Sequence, residues 1–262
     1  MTSVRRRTLL ALAGTAPAAA ALGCHRTPPQ RAGELVCAPK STMTEVSQLG
    51  GRPLVYEVNG RPGRFPIEPT FLGLLERWQQ YWLDHSGLPA HDQVWTYGAW
   101  VDGEECTSWH GAGRAFDISR LRRDGIPIVS CREDLWSVMD DVALRDQHRR
   151  RYWAMAASLH LHFAYVLTYL YDEAHRDHIH VDNAVSGTEM TRFDTGSRVQ
   201  NQALQAICTH LWDVPVEITG EWDGATRDAT AAVLSQIGAS GHAARGDNWA
   251  RLLTASVGRA AD

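Results

Sequence analysis

His175-Arg176-Asp177-His178-Ile179-His180-Val181-Asp182 alternates polar and apolar side chains over its last five positions, the period-two pattern of a strand with one buried face. On that reading His178, His180 and Asp182 share one face, while Ile179 and Val181 enter the core. An upstream stretch, Ser108-Trp109-His110-Gly111-Ala112-Gly113-Arg114-Ala115-Phe116-Asp117, sets a His and an Asp seven positions apart with two glycines between them. The glycines let the chain turn, and the strand-like end points Asp117 to one face and Phe116 and Ile118 to the core. If the two strands are neighbours, two His, one Asp and a water make an open tetrahedral zinc site. Zinc held that way activates water and polarises a carbonyl, as amide hydrolysis requires.

The surrounding pattern predicts an α+β fold: a small antiparallel sheet carrying the zinc site, flanking helices, and a small C-terminal three-helix domain. Residues 71–87 place Phe71, Leu74, Leu75, Trp78 and Trp82 on one helical face, with Thr70 as N-cap and Gly87 as stop. Strands are expected at 94–100, 114–121, 163–170 and 178–182. Residues 133–160 carry helical spacing and read as two helices broken around the charged stretch 145–151. Composition shifts after Asn183 to a polar, Gly- and Ser-containing segment. The expected organisation is a leader at 1–24, a linker at 25–36, a zinc domain at 37–185, a second linker at 186–196 and a helical domain at 197–258.

The 262 residues are 44% hydrophobic and 21% charged, which excludes both disorder and a multi-span membrane protein. A net charge of −4 supplies no positive field for nucleic acid. Residues 1–24 have a basic start at Arg5, Arg6 and Arg7, an apolar run and small residues before Cys24, the signature of an export signal. Arg5 to Leu10 resembles a twin-arginine signal, although an ordinary leader also accommodates three arginines. Ala21-Leu22-Gly23-Cys24 resembles a lipobox, which would lipidate Cys24 and anchor the chain to a membrane in the cell envelope. In an oxidising compartment Cys37, Cys106, Cys131 and Cys208 are expected to form two disulfides, in one of three pairings.

Ser108, His110, Gly113, Ala115 and Asp117 match the SxHxxGxAxD signature of the metallopeptidase superfamily that groups lysostaphin-type enzymes, D-alanyl-D-alanine metallopeptidases and the hedgehog fold, and HRDHIHVD matches its HxH signature. Over residues 37–183 the chain looks most like the extensin-like C-terminal domain family. That resemblance implies His110, Asp117 and His180 as zinc ligands and His178 as the catalytic histidine. His175 and His178 also resemble the two active-site histidines of the penicillin-insensitive murein endopeptidase in their spacing. The D-Ala-D-Ala enzymes keep a Glu three residues before the last ligand; here Asp177 stands there, so the base lies among His175, Asp177 and His178, with His178 preferred. If the alternation runs back through Asp177, its side chain lies on the opposite face and caps a turn.

Ser108 and Arg114 are candidate substrate contacts, Arg114 through a bidentate grip on a carboxylate or, equally, through a salt bridge inside the fold. His160 and His162 read as structural. Trp95, Trp100 and Trp109 line a groove or fill the core, and Arg149, Arg150 and Arg151 read as a solvated helix face. Farther on, Leu204, Gln205, Thr219, Gly220, Asp223, Thr226, Trp249, Leu252 and Leu253 fall in the order of the peptidoglycan-binding-like domain. Together the resemblances imply an exported zinc peptidase acting on peptidoglycan, as a murein endopeptidase or D,D-carboxypeptidase. The alternative is a non-catalytic, zinc-stabilised envelope protein that binds the polymer.

Overall fold

The computed structural model of the chain describes residues 35–102, 106–163, 165–182 and 191–262. The expected leader with Cys24, nearly all of the first linker, and residues 183–190 at the expected second boundary lie outside the described residues. In chain order the elements are β1 (Thr44–Val46), β2 (Gln48–Leu49), β3 (Arg52–Tyr56), β4 (Arg61–Pro62), β5 (Phe65–Ile67), α1 (Pro69–His85), β6 (Gln93–Gly98), β7 (Ala115–Arg123) and β8 (Ile126–Ser130). These are followed by α2 (Glu133–Trp136), α3 (Val142–His162), β9 (Tyr165–Leu167), β10 (Ile179–Asp182), α4 (Arg198–Leu211), α5 (Gly224–Gln236) and α6 (Asn248–Val257).

The fold is α+β. The main sheet runs β2-β3-β6-β7-β10-β9, with β4 on β3 and β8 on β7, and β1 pairs separately with β5. All its pairs are antiparallel except β3 with β6. The four expected strands are β6, β7, β9 and β10. Strands β1 to β5 escape the periodicity because each is short and Pro53, Pro62 and Pro66 interrupt the signal. One sheet face is closed by Leu54, Val94, Leu121 and Val129, all but unexposed.

Helix α1 starts two residues earlier than its sequence suggests. The cap is Glu68, not Thr70: its carboxylate accepts from Thr70 N at 3.0 Å and Phe71 N at 2.8 Å, and Pro69 takes the first helical position, where no N–H is needed. Phe71, Leu74, Leu75, Trp78 and Trp82 are buried as expected. Trp78 Nε1 donates at 2.9 Å to Ser158 Oγ on α3.

The stretch from 133 does carry two helices, α2 and α3, but the break falls at 137–141, and residues 142–162 run unbroken through the charged stretch where a break is expected. No Pro or Gly interrupts them, Asp141 caps the start by accepting from Leu144 N at 3.0 Å, and the charged stretch 145–151 is simply the more exposed first half. Its arginines are tied down: Arg149 pairs with Asp146, Arg150 donates to the Asp262 carbonyl and Arg151 to the Ile128 carbonyl. From Tyr152 to Leu161 every residue is buried, the mark of a helix enclosed on all sides. It packs against α1, α4, α6, β8 and β9.

The C-terminal helices therefore share a core with α3. The motif residues there act structurally: Nε2 of buried Gln205 lies within hydrogen-bond distance of Thr219 Oγ1, the Glu221 carbonyl and Thr226 Oγ1, and its Oε1 accepts from Gly220 N at 2.8 Å. Asp223 caps α5 by accepting from Thr226 N at 2.7 Å. Trp249 on α6 meets His160 edge to face at 5.8 Å between ring centroids.

Only half of the expected cross-linking is present. Cys37 and Cys106 form a disulfide, whereas Cys131 and Cys208 are free. Each free thiol is buried in the apolar core, and burial pushes the Cys208 thiol up to about 12. A thiol reagent should thus label Cys131 and Cys208 only after denaturation, and Cys37 and Cys106 only after reduction. Peptide mapping checks this, and a Cys131–Cys208 cross-linked peptide would contradict it.

His160 is fully buried, and neither ring nitrogen has a hydrogen-bond partner. Burial lowers its pKa to about 3, against about 6.5 for the unfolded chain. Below pH ~6.5 the unfolded chain takes up the proton first, so this residue costs stability progressively as pH falls from about 6.5 toward 3. His160→Leu should lessen the drop in Tm between pH 7 and pH 4.5. Parallel drops in variant and wild type would refute the assignment.

Candidate metal centre

Strands β7 and β10 are neighbours, and their register puts His180 directly opposite Asp117. Phe116 and Ile118 on one strand and Ile179 and Val181 on the other are fully buried, so the alternation sends Asp117 and His180 to the opposite face. His110 reaches the same place from a 3-10 turn, Trp109–Ala112, which ends at Gly113 in the left-handed region, φ +66°. A side chain at Gly113 would also run into Met43, so the turn needs glycine on two counts.

One donor atom from each of His110, Asp117 and His180 lies within 4.8 Å of the others, and this trio could hold a metal ion. His110 Nε2 is 3.2 Å from Asp117 Oδ2 and 3.2 Å from His180 Nδ1; His180 Nδ1 is 2.9 Å from Asp117 Oδ1. The remaining nitrogens are also engaged. His110 Nδ1 donates to the Ala99 carbonyl, which fixes the tautomer and turns the Nε2 lone pair inward, and His180 Nε2 donates at 3.2 Å to Asp182 Oδ2. Outer partners of this kind orient metal-binding imidazoles. Burial opposes a charge on His180, but its hydrogen bonds to Asp117 and Asp182 outweigh that and raise its pKa to about 9. Burial likewise opposes ionisation of Asp117, and the hydrogen bonds from His110 and His180 overcome it and hold the carboxyl below its ordinary range. The cluster thus favours a positive charge between its donors.

His178 stands beside the trio. Strand β10 begins at Ile179, so His178 and Asp177 lie just ahead of it and the alternation does not reach Asp177. Asp177 does not turn away to cap a loop: its Oδ1 accepts from His178 Nδ1 at 2.6 Å. His178 Nε2 then faces Asp117 Oδ1 at 3.5 Å. His175 ends a 3-10 turn capped by Asp172, whose Oδ1 accepts from its Nδ1 at 2.6 Å. Its ring centroid lies 5.1 Å from that of His178 and 6.0 Å from that of His180. Tyr97 at the end of β6 meets the His178 ring at 5.8 Å, and burial, then the neighbouring Asp177 charge, pushes its phenol above the usual range.

The other expected site residues are placed differently. Ser108 caps the His110 turn, its hydroxyl accepting from His110 N at 3.3 Å. The Arg114 guanidinium lies over the Trp109 ring at 5.3 Å, and no ion pair among the described residues holds it. Trp100 donates from Nε1 to the Ala38 carbonyl, and Trp95 lies beneath Arg120 and Arg122. Residue-by-residue reading did not assign roles to Asp182, Asp172, Tyr97 or the Ala99 carbonyl. Asp182 was discoverable, because it shares the polar face of the His-x-His-x-Asp pattern; Tyr97 and Ala99 come into place only through the pairing of β6 with β7.

The chain matches no protein-family model, no curated protein and no solved structure. The site is therefore read from its own geometry.

If the trio holds a divalent metal ion, His180→Ala should abolish its stoichiometric binding by the full chain. Asp182→Asn should keep a 1:1 site but weaken it roughly 10- to 100-fold, the usual scale for an outer partner of a metal-bound imidazole. Competition against a chromogenic chelator measures both, and undiminished affinity in Asp182→Asn would show that Asp182 is no part of the centre.

Proposed function

We propose that the chain is an exported zinc peptidase that hydrolyses peptide bonds of peptidoglycan. The observation that carries the reading is the Asp177–His178 pair set against a trio suited to a metal: an imidazole held at one nitrogen, with the other directed at such a trio, is what a metallopeptidase needs as its base. Because His178 Nδ1 donates to Asp177, the proton sits there and Nε2 is the basic atom.

The donor set fits zinc. Two imidazole nitrogens, each oriented by a further hydrogen bond, and one carboxylate suit a catalytic zinc site with an open position. Held by His110, Asp117 and His180, zinc would supply Lewis acidity toward a peptide carbonyl and toward water. The protein's own part is proton movement and positioning. His178 takes a proton at Nε2 from the attacking water and returns it to the leaving amine nitrogen. Asp177 keeps the ring from turning and stabilises its protonated form. His175, fixed by Asp172, borders the same space, and Arg114, which no carboxylate among the described residues pairs with, is available to a carboxylate of the stem peptide. This assignment makes Asp177 an orienting group and not the base.

Export is supported by the Cys37–Cys106 disulfide, which suits an oxidising compartment, and no helix among the described residues is long and apolar enough to cross a membrane. The resemblance of residues 197–258 to a peptidoglycan-binding-like module supports the same polymer as substrate.

Purified sacculi incubated with the full chain should release new amine termini and muropeptides, and a chelator should stop the release. His178→Ala should keep its zinc and lose activity by a factor of ~10² or more. Asp177→Asn should also lose activity, with zinc retained. Stoichiometric zinc without any cleavage would favour the non-catalytic, polymer-binding alternative, and near-wild-type turnover by His178→Ala would move the base elsewhere.

A further inference from the structure

We infer that the Cys37–Cys106 disulfide assembles the His110 turn, so that the chain holds its metal tightly only once oxidised. The inference rests on the reading of His110, Asp117 and His180 as a metal site.

Of the three ligands, Asp117 and His180 are fixed by strand pairing, whereas His110 sits on a single 3-10 turn that belongs to no sheet. That turn is gripped from outside. Ala38 N donates to the Gly111 carbonyl at 3.0 Å, Glu68 N donates to the Gly113 carbonyl at 2.9 Å, and Val101 N lies 3.4 Å from the His110 carbonyl. The Ala38 carbonyl in turn accepts from Trp100 Nε1 at 3.1 Å. Cys37 Sγ lies so close to Gly111 that a methyl group there would collide with it, and Cys106 Sγ is also within reach. The sulfur bridge is thus packed against the residue next to the ligand.

Apart from Met43, whose side chain lies against Gly113, little else secures the segment that does the gripping. From residue 35 to residue 43 no side chain is buried; the segment is a short 3-10 turn and extended chain, with one exposed Lys40–Glu45 pair. Segments with so few buried contacts open at low free-energy cost. The bridge ties this weak strap at Cys37 to Cys106, two residues before the Ser108 cap of the ligand turn. Without it, Ala38 leaves Gly111, and the His110 imidazole loses the fixed position that tight binding requires.

Oxidation balances simply. The two thiols lose their protons and two electrons, one S–S bond forms between Cys37 and Cys106, and a disulfide-bearing oxidant is cleaved to two thiols. The chain would then stay metal-poor in a reducing compartment and become competent on reaching an oxidising one. Cys131 and Cys208 take no part, being buried and unpaired.

The test compares zinc affinity of the oxidised full chain with that of the Cys37→Ser/Cys106→Ser chain, with far-UV circular dichroism and cooperative melting as controls for folding. Binding weaker by ~10- to 100-fold in the double variant, with helix content unchanged, is expected by analogy with loss of other groups that position a ligand. Equal affinities would overturn the inference and leave the metal site standing; no binding by the oxidised chain would remove the metal reading and the inference with it. Should the double variant fail to fold, zinc release from the folded, loaded wild type is followed with a chromogenic chelator before and after addition of a phosphine reductant. Faster release after reduction is the expected result, and an unchanged rate overturns the inference.

Discussion

The antiparallel pairing of β7 with β10 sets Asp117 opposite His180, and the rest of the centre is arranged around that contact. A slip of β10 by one residue would turn His180 into the core and bring Ile179 and Val181 out. What prevents the slip is apolar: Phe116, Ile118, Ile179 and Val181 are fully buried beneath the polar face. Burying one such side chain is worth roughly 1.5–3 kcal/mol, so a wrong register would forfeit several of these contacts at once. The hydrophobic face thus fixes the geometry of the chemical one.

Around that contact the histidines are ordered by carboxylates. Asp172 holds His175, Asp177 holds His178 and Asp182 holds His180, so three rings each present a chosen nitrogen while their other nitrogen is occupied. His110 is held by a backbone carbonyl instead. Near-identical side chains can therefore have different tasks. An imidazole whose outer nitrogen is engaged offers one lone pair in one direction, and whether that direction meets the trio or the space beside it separates a ligand from a base.

Of the two chemistry-bearing strands, β10 is legible in the sequence through its strict alternation of His and Asp with apolar residues, whereas β7 alternates only in part and is legible through the spacing of His110, the two glycines and Asp117. The neighbourhood of β7 and β10 is stated there only as a condition, since pairing across 60 or so residues leaves no local signal. The start of β10 at Ile179 is hidden for a related reason. His178 continues the alternation by residue type, yet the Asp177 carboxylate binds its ring and the ladder begins one residue later. At Glu68 a competing cap overrode the obvious Thr70, because a carboxylate can accept from two N–H groups and Pro69 leaves the first position without a donor. The expected break in α3 rested on charge alone, and charge does not end a helix that has neither Pro nor Gly. Cysteine parity misled in the same way: an even count says nothing of reach, and Cys131 and Cys208 are each enclosed by core residues.

The C-terminal helices bear on how a polymer would be held. A module on a flexible tether raises local concentration by an amount set by linker length. Here α4 and α6 pack directly on α3, Trp249 meets His160, and Gln202 on α4 donates to the Leu170 carbonyl near the end of β9. Residues that would otherwise face solvent along α3, from Tyr152 to Leu161, are buried partly by these helices. Removing residues 197–258 would uncover that surface, so loss of the helices would register first as loss of stability and only afterwards as loss of binding. If the helices do grip the wall, they do so at a fixed distance from the metal-binding face, and the spacing between grip and cut would be a property of the fold instead of a linker.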